Sequence, residues 1–242
     1  MTKRIKKFNC SPKLNKKVVI PRRVDLLPIL EELRPKVVNQ FIPKDDLVNI
    51  IGVHIGQRFN VYVKHAESMQ VEQNDMDFNS FYDGGLDEAD ECPIEVFIIT
   101  NPMNDIIMLD SSQFDIIIRR IADNLAHECI HMYQYRSRDF LEPGPFYVKD
   151  TMSEEEEEQL YLSDPDEIMA YAHNITNELL EKGDFQTVKD KLGRVNNITL
   201  EDSVNLWAYI TAFNKQSTHP VMKRLLKKIY RNLIEFSKNV DK

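Results

Sequence analysis

Two histidines four residues apart bracket a glutamate in the run His127-Glu128-Cys129-Ile130-His131. On a helix, four residues make about 1.1 turns, so both imidazoles project from one face. Two ring nitrogens placed this way can hold one zinc ion, each at about 2.0–2.1 Å. Glu128 lies about 100° round the helix from His127 and reaches a zinc-bound water without being a ligand, as a general base requires. Cys129 points the other way and is assigned to core packing. An accidental H-E-x-x-H is expected in only about one chain per hundred of this size, so chemistry outweighs coincidence.

Zinc in a hydrolytic site needs a third protein ligand and an open position. The pattern H-E-x-x-H-x-x-G-x-x-H does not supply it, because Gln134 stands at its glycine and Ser137 at its last histidine. The downstream candidates are Glu142, the run Glu154 to Glu158, Asp164, Asp166, Glu167 and His173. Glu142 lies in a Pro- and Gly-containing loop, and the glutamate run repels itself and suits a solvated flank. Glu167 opens a helix beginning at Pro165, with Ala170 permitting close packing. Asp164 as N-cap with Glu167 three residues on also satisfies a capping box. Ligand and cap both remain open for Glu167, with His173 as the alternative ligand.

H-E-x-x-H on one helix and Glu167-Ile168-Met169-Ala170-Tyr171-Ala172 on the next resemble the glutamate-ligand zincins, the gluzincin-type metallopeptidases. The form His127 to Gln134 followed by Ser163 to Ala172 is most similar to zinc peptidases encoded by bacteriophages. The resemblance covers roughly residues 93 to 180. It implies a zincin-like fold, zinc held by His127, His131 and Glu167, and an edge strand that binds extended peptide. The strand Ile94–Thr100 is expected to take that role by backbone pairing. The acid usual one turn after the ligand glutamate is replaced by Tyr171, which with His173 is a candidate to stabilise an oxyanion.

Elements must position these residues. Val24 to about Phe41 reads as a helix split at Pro35. Leu47–Ile55 and Arg58–Lys64 read as strands, residues 66 to 92 as a long loop. Ile94–Ile99 and Asp105–Leu109 read as two strands joined by a turn of hairpin length. From Ser112 to about Tyr135, Phe114, Ile117, Ile118, Ile121, Leu125 and Cys129 form a helical stripe. Asp139 to Ser163 reads as irregular. Helices follow over Pro165–Glu181, Leu200–Phe213 and Pro220–Lys238. The fold class is α+β: a small antiparallel sheet packed on the active-site helix, then a mostly helical second half. A single catalytic domain is expected over residues 24–242, its helical C-terminal part from about 176. His54 and His65 fall on adjacent expected strands, in structural roles. Trp207, Tyr209 and Phe213 suit core packing.

Composition sets outer limits. Hydrophobic residues make up 42%, as in a folded chain, and neither glycine-rich phosphate loop is present among the 7 glycines. No apolar run approaches the ~18–20 residues that cross a bilayer, so no membrane partner is expected. No apolar segment follows the basic N-terminus, and three cysteines make no disulfide framework, so a cytoplasmic or virion location is expected. Net charge is −8, but residues 1–23 hold nine bases and no acid, leaving 22 bases against 39 acids, a net of −17. The arm 1–23 reads as a solvated tail able to contact nucleic acid or a protein shell. The bases Lys223, Arg224, Lys227, Lys228 and Arg231 of the last helix read as a solvated face, with nucleic-acid or partner contact as the alternative. The chemistry expected is peptide-bond hydrolysis with Zn2+ and Glu128 as base. The alternative is a virion-associated structural or interaction protein on the same fold.

Overall fold

Residues 20–82, 84, 94–138, 141 and 152–238 are described by the computed structural model, and the basic segment 1–19 lies outside them. The chain divides into two units, residues 1–142 and 143–242.

In the first unit, α1 (Arg23–Leu30) passes through a 3-10 turn at Glu31–Leu33 into α2 (Arg34–Val37), with Pro35 in its first turn. The expected split therefore occurs ahead of Pro35, and β1 (Phe41–Pro43) follows. Arg22 pairs with Asp25, and buried Arg23 holds Asp123 through two bonds of 2.7 and 2.5 Å. Two of the nine bases counted in the arm are thus tied into this unit.

The expected strand Leu47–Ile55 is instead part of a helix, α3 (Lys44–Phe59). Leu47, Ile51, Ile55 and Phe59 recur every fourth residue and are all buried, a helical period. Asp45 and Asp46 suit the positive end of the first turn, and Asn60 closes the helix in the left-handed region at φ 55. The many β-branched residues masked that period in the sequence. Gly52 permits the close approach of the next strand, since a Cβ there would meet Val63 Cγ1 at 3.3 Å.

That strand is β2 (Tyr62–Glu67), four residues later than expected at its start. The presumed loop contains β3 (Met76–Phe81), and β4 (Glu95–Thr100) and β5 (Ile106–Met108) follow. The order β2-β4-β3 makes a mixed sheet, parallel between β2 and β4 and antiparallel between β4 and β3. β5 pairs with β1 in a separate two-stranded antiparallel sheet. The expected hairpin is therefore absent: β4 and β5 part at Asn101, whose side chain donates to the Val71 carbonyl at 2.6 Å. His54 lies on α3 and bonds the Ile29 carbonyl, while His65 on β2 bonds Thr100, so they are not neighbours on paired strands.

Helix α4 (Ser111–Ser137) opens with a reciprocal cap between Asp110 and Gln113. Its apolar stripe, from Phe114 through Ile118 and Leu125 to Met132, is buried in one core with α1, α3 and the mixed sheet. Cys129 belongs to that core, as expected.

The regular elements described in the second unit are helices, joined by turns: α5 (Glu154–Ser163), α6 (Pro165–Glu181), α7 (Phe185–Leu192), α8 (Val204–Ala212) and α9 (Pro220–Lys238). α5 replaces the second half of the expected irregular stretch. Ser153 and Glu156 form its capping box, and five exposed glutamates sit where the helix dipole favours negative charge. α6 packs against the other four helices, and Ile175, Leu179, Tyr209, Leu225 and Ile229 are fully buried there. The architecture is α+β. Among the described residues, no helix is long and apolar enough to cross a membrane.

Candidate metal centre

His127 and His131 stand one turn apart on α4, their ring centroids 4.7 Å apart. Both are half-buried. The side-chain oxygen of Gln134, itself buried, lies 2.9 Å from His131 Nδ1. An amide oxygen only accepts, so this contact puts a ring proton on Nδ1. A zinc-binding histidine has its second ring nitrogen held in this way, and two imidazoles on one helix face suit the chemistry of that ion.

Glu128 is 5% exposed. Its Oε1 accepts a hydrogen bond of 2.9 Å from the Ser80 hydroxyl on β3. Two further side chains of α4 reach the same strand: Asn124 donates to the Phe78 carbonyl at 2.9 Å, and Arg120 to the Met76 carbonyl at 3.1 Å. Arg120, Asn124 and Glu128 step by four along the helix, while Met76, Phe78 and Ser80 step by two along the strand. Four helical residues rise about 6 Å and two strand residues about 6.8 Å, so the two repeats stay in register. This ladder fixes α4 lengthwise on β3 and sets the rotation at which Glu128 presents its carboxylate.

The expected substrate strand is not available. Ile94–Thr100 contains β4, which is the middle strand, with both edges paired. β3 is an edge strand, but its carbonyls at Met76 and Phe78 are taken by α4. Its amides at Met76, Phe78 and Ser80 are taken by the side chains of Asp75, Asp77 and Asn79. β2 carries the other edge of this sheet.

In the second unit, Glu167 lies in the first turn of α6. The cap of that helix closes through Asp164, which accepts from the Asp166 amide at 2.6 Å. Glu167 Oε2 instead accepts a hydrogen bond of 2.8 Å from Tyr161 on α5. The Asp164–Glu167 capping box, the alternative to a ligand role for Glu167, thus gives way to a shorter cap. Tyr171, one turn on, makes edge contacts with the rings of Tyr161 (6.3 Å) and Tyr209 (5.7 Å). His173 is buried, with Asn177 Nδ2 donating to its Nδ1 at 3.2 Å and Phe236 against its ring. Glu142 lies outside the described residues.

Sequence reasoning missed Ser80, Gln134 and Tyr161. Only Tyr161 had a local signal, since Ser153 and Glu156 announce the helix that carries it.

The chain matches no family model, no curated protein and no solved structure.

Proposed function

We propose that the chain is a zinc-dependent metallopeptidase. One observation carries the reading: two histidines share one turn of α4 while the glutamate between them is buried and fastened by Ser80. A purely structural site has no use for a carboxylate oriented so carefully beside its ligands.

In this reading His127 and His131 are two ligands and Glu167 is the third, an assignment that rests on the sequence pattern. It is supported by the cap of α6, which leaves Glu167 unneeded there, and by His173, whose Nδ1 already accepts from Asn177. When bound, zinc supplies Lewis acidity, lowering the pKa of water to about 7 and polarising the scissile carbonyl. Ser80 engages Oε1 of Glu128, so proton transfer falls to Oε2. That oxygen takes a proton from the attacking water and returns it to the leaving amine. Tyr171 is assigned to the oxyanion, as a hydroxyl donor.

Purified protein should carry one zinc per chain by mass spectrometry, and the double variant His127→Ala/His131→Ala should carry none. Glu128→Gln should keep the zinc and lose casein hydrolysis by about 10²–10⁴-fold, because an amide cannot take the proton. Full zinc retention in the double variant, or unchanged turnover in Glu128→Gln, ends the proposal.

A further inference from the structure

Helix α9 carries a charge pattern that the peptidase reading does not use. Residues 143–242 hold 13 Lys and Arg against 17 Asp and Glu, a net of −4. Pro220–Lys238 alone holds six of those bases against one acid, Glu235, so the rest of the unit is at −9. Successive helical residues turn by about 100°, which gathers Lys223, Arg224, Lys227, Lys228 and Arg231 within an arc of roughly 140°. The opposite face fixes the direction of that arc. Leu225, Ile229 and Leu233 are fully buried, whereas Lys223, Arg224, Lys227 and Arg231 are exposed and Lys228 half-exposed.

Elsewhere among the described residues, cations such as Arg23, Arg34 and Lys191 sit on carboxylates. No ion pair joins any of the five α9 cations to an acid among the described residues. They make five like-charge pairs at three- and four-residue spacing: 223/227, 224/227, 224/228, 227/231 and 228/231. Each such pair weakens a helix slightly. The unit thus carries a standing repulsion that an external polyanion would relieve.

We infer that this stripe of α9 binds the phosphate backbone of nucleic acid, without reading sequence. Five cations over nine residues span about 12 Å of helix, and one nucleic-acid strand offers a phosphate charge about every 3.4 Å. A protein partner is disfavoured, because a stable protein interface has an apolar centre, and among the described residues the exposed large apolar side chain on this face is Ile234, beyond Arg231. A bilayer is disfavoured as well, because the apolar side of α9 is already buried in its own unit and cannot insert. The stripe owes nothing to the metal site and stands or falls apart from it.

The test uses the full chain and a labelled 20-base-pair duplex, with fluorescence anisotropy between about 50 and 200 mM salt. If three to four phosphates are contacted, the logarithm of the association constant falls with log salt at a slope of about −2.7 to −3.6. Lys223→Gln/Lys227→Gln/Arg231→Gln should weaken binding at least ~10-fold at the low-salt end and flatten the slope by about 2 or more. Its melting temperature should be no lower than that of the parent. Lys36→Gln/Lys64→Gln/Lys215→Gln, with the same change in net charge away from α9, should bind within about twofold of the parent. The inference is overturned by absence of duplex binding, by equal losses in both triple variants, or by an unaffected α9 variant. Phosphatidylserine vesicles bound as tightly as the duplex would overturn it too.

Discussion

At the residue scale, the centre depends on groups far apart in sequence. Ser80 is 48 residues from the glutamate it holds, and nothing about an isolated serine in a polar stretch signals that contact. The two histidines and Glu128 were legible, because their spacing is a property of one helix. The tautomer of His131 was not, since glutamine three residues on is a common neighbour and only the fold turns its oxygen to the ring. Glu167 gives the sharpest test at this scale. If Glu167 is the third ligand proposed, its removal leaves two histidines, too few for a stable zinc site, and Glu167→Ala should weaken zinc binding by orders of magnitude. Asp164→Ala removes the cap that the Asp166 amide uses, and should lower stability by about 0.5–2 kcal/mol while sparing the zinc. Zinc titration and thermal melts on both variants decide it. If the two variants behave alike in both measurements, Glu167 is not a ligand.

At the element scale, α4, α6 and α9 were readable from period and caps alone, because each buries one long apolar stripe. α3 was not: its window is rich in Val and Ile, and the four-residue burial of Leu47, Ile51 and Ile55 competes with that strand-like composition. β3 escaped because its exposed face is Asp77 and Asn79 in a polar neighbourhood, leaving Met76 and Phe78 too few to signal alternation. The helical state of α3 has a measurable result through His54. This buried ring donates from Nε2 to the Ile29 carbonyl in the last turn of α1, and burial lowers its pKa below the usual histidine value. As pH falls through about 6.5, the unfolded chain takes up a proton that the folded ring resists. The stability contributed by His54 is therefore complete above that pH and drains away as pH falls toward the lowered folded value. The melting temperature should drop more steeply between about pH 7.5 and 5.5 in the parent than in His54→Gln. Parallel curves would show that His54 does not contribute.

At the scale of the whole molecule, each unit has its own buried core, one built on α1, α3, α4 and the mixed sheet, the other on α6 and its four neighbours. A mostly helical second half was legible; α7 was not, because its eight residues bury only Val188 and Leu192 firmly. A fragment of residues 152–238 should therefore melt cooperatively by circular dichroism, with a sigmoidal loss of helix signal on heating. A gradual, non-cooperative loss would mean that this core cannot stand alone. The uneven charge of that same unit also bears on how the protein behaves at surfaces in general. Net charge governs drift in an electric field, and at −8 the chain migrates as an anion near neutral pH. Adhesion is decided locally, within roughly a Debye length of about 10 Å at 0.1 M salt, by whichever face arrives first. A chain with five cations along one helix and five glutamates at the start of another should thus be retained by cation and anion exchangers alike, in one buffer. Its elution from the cation exchanger would follow these clustered cations, the basic residues 1–23 included, rather than the isoelectric point.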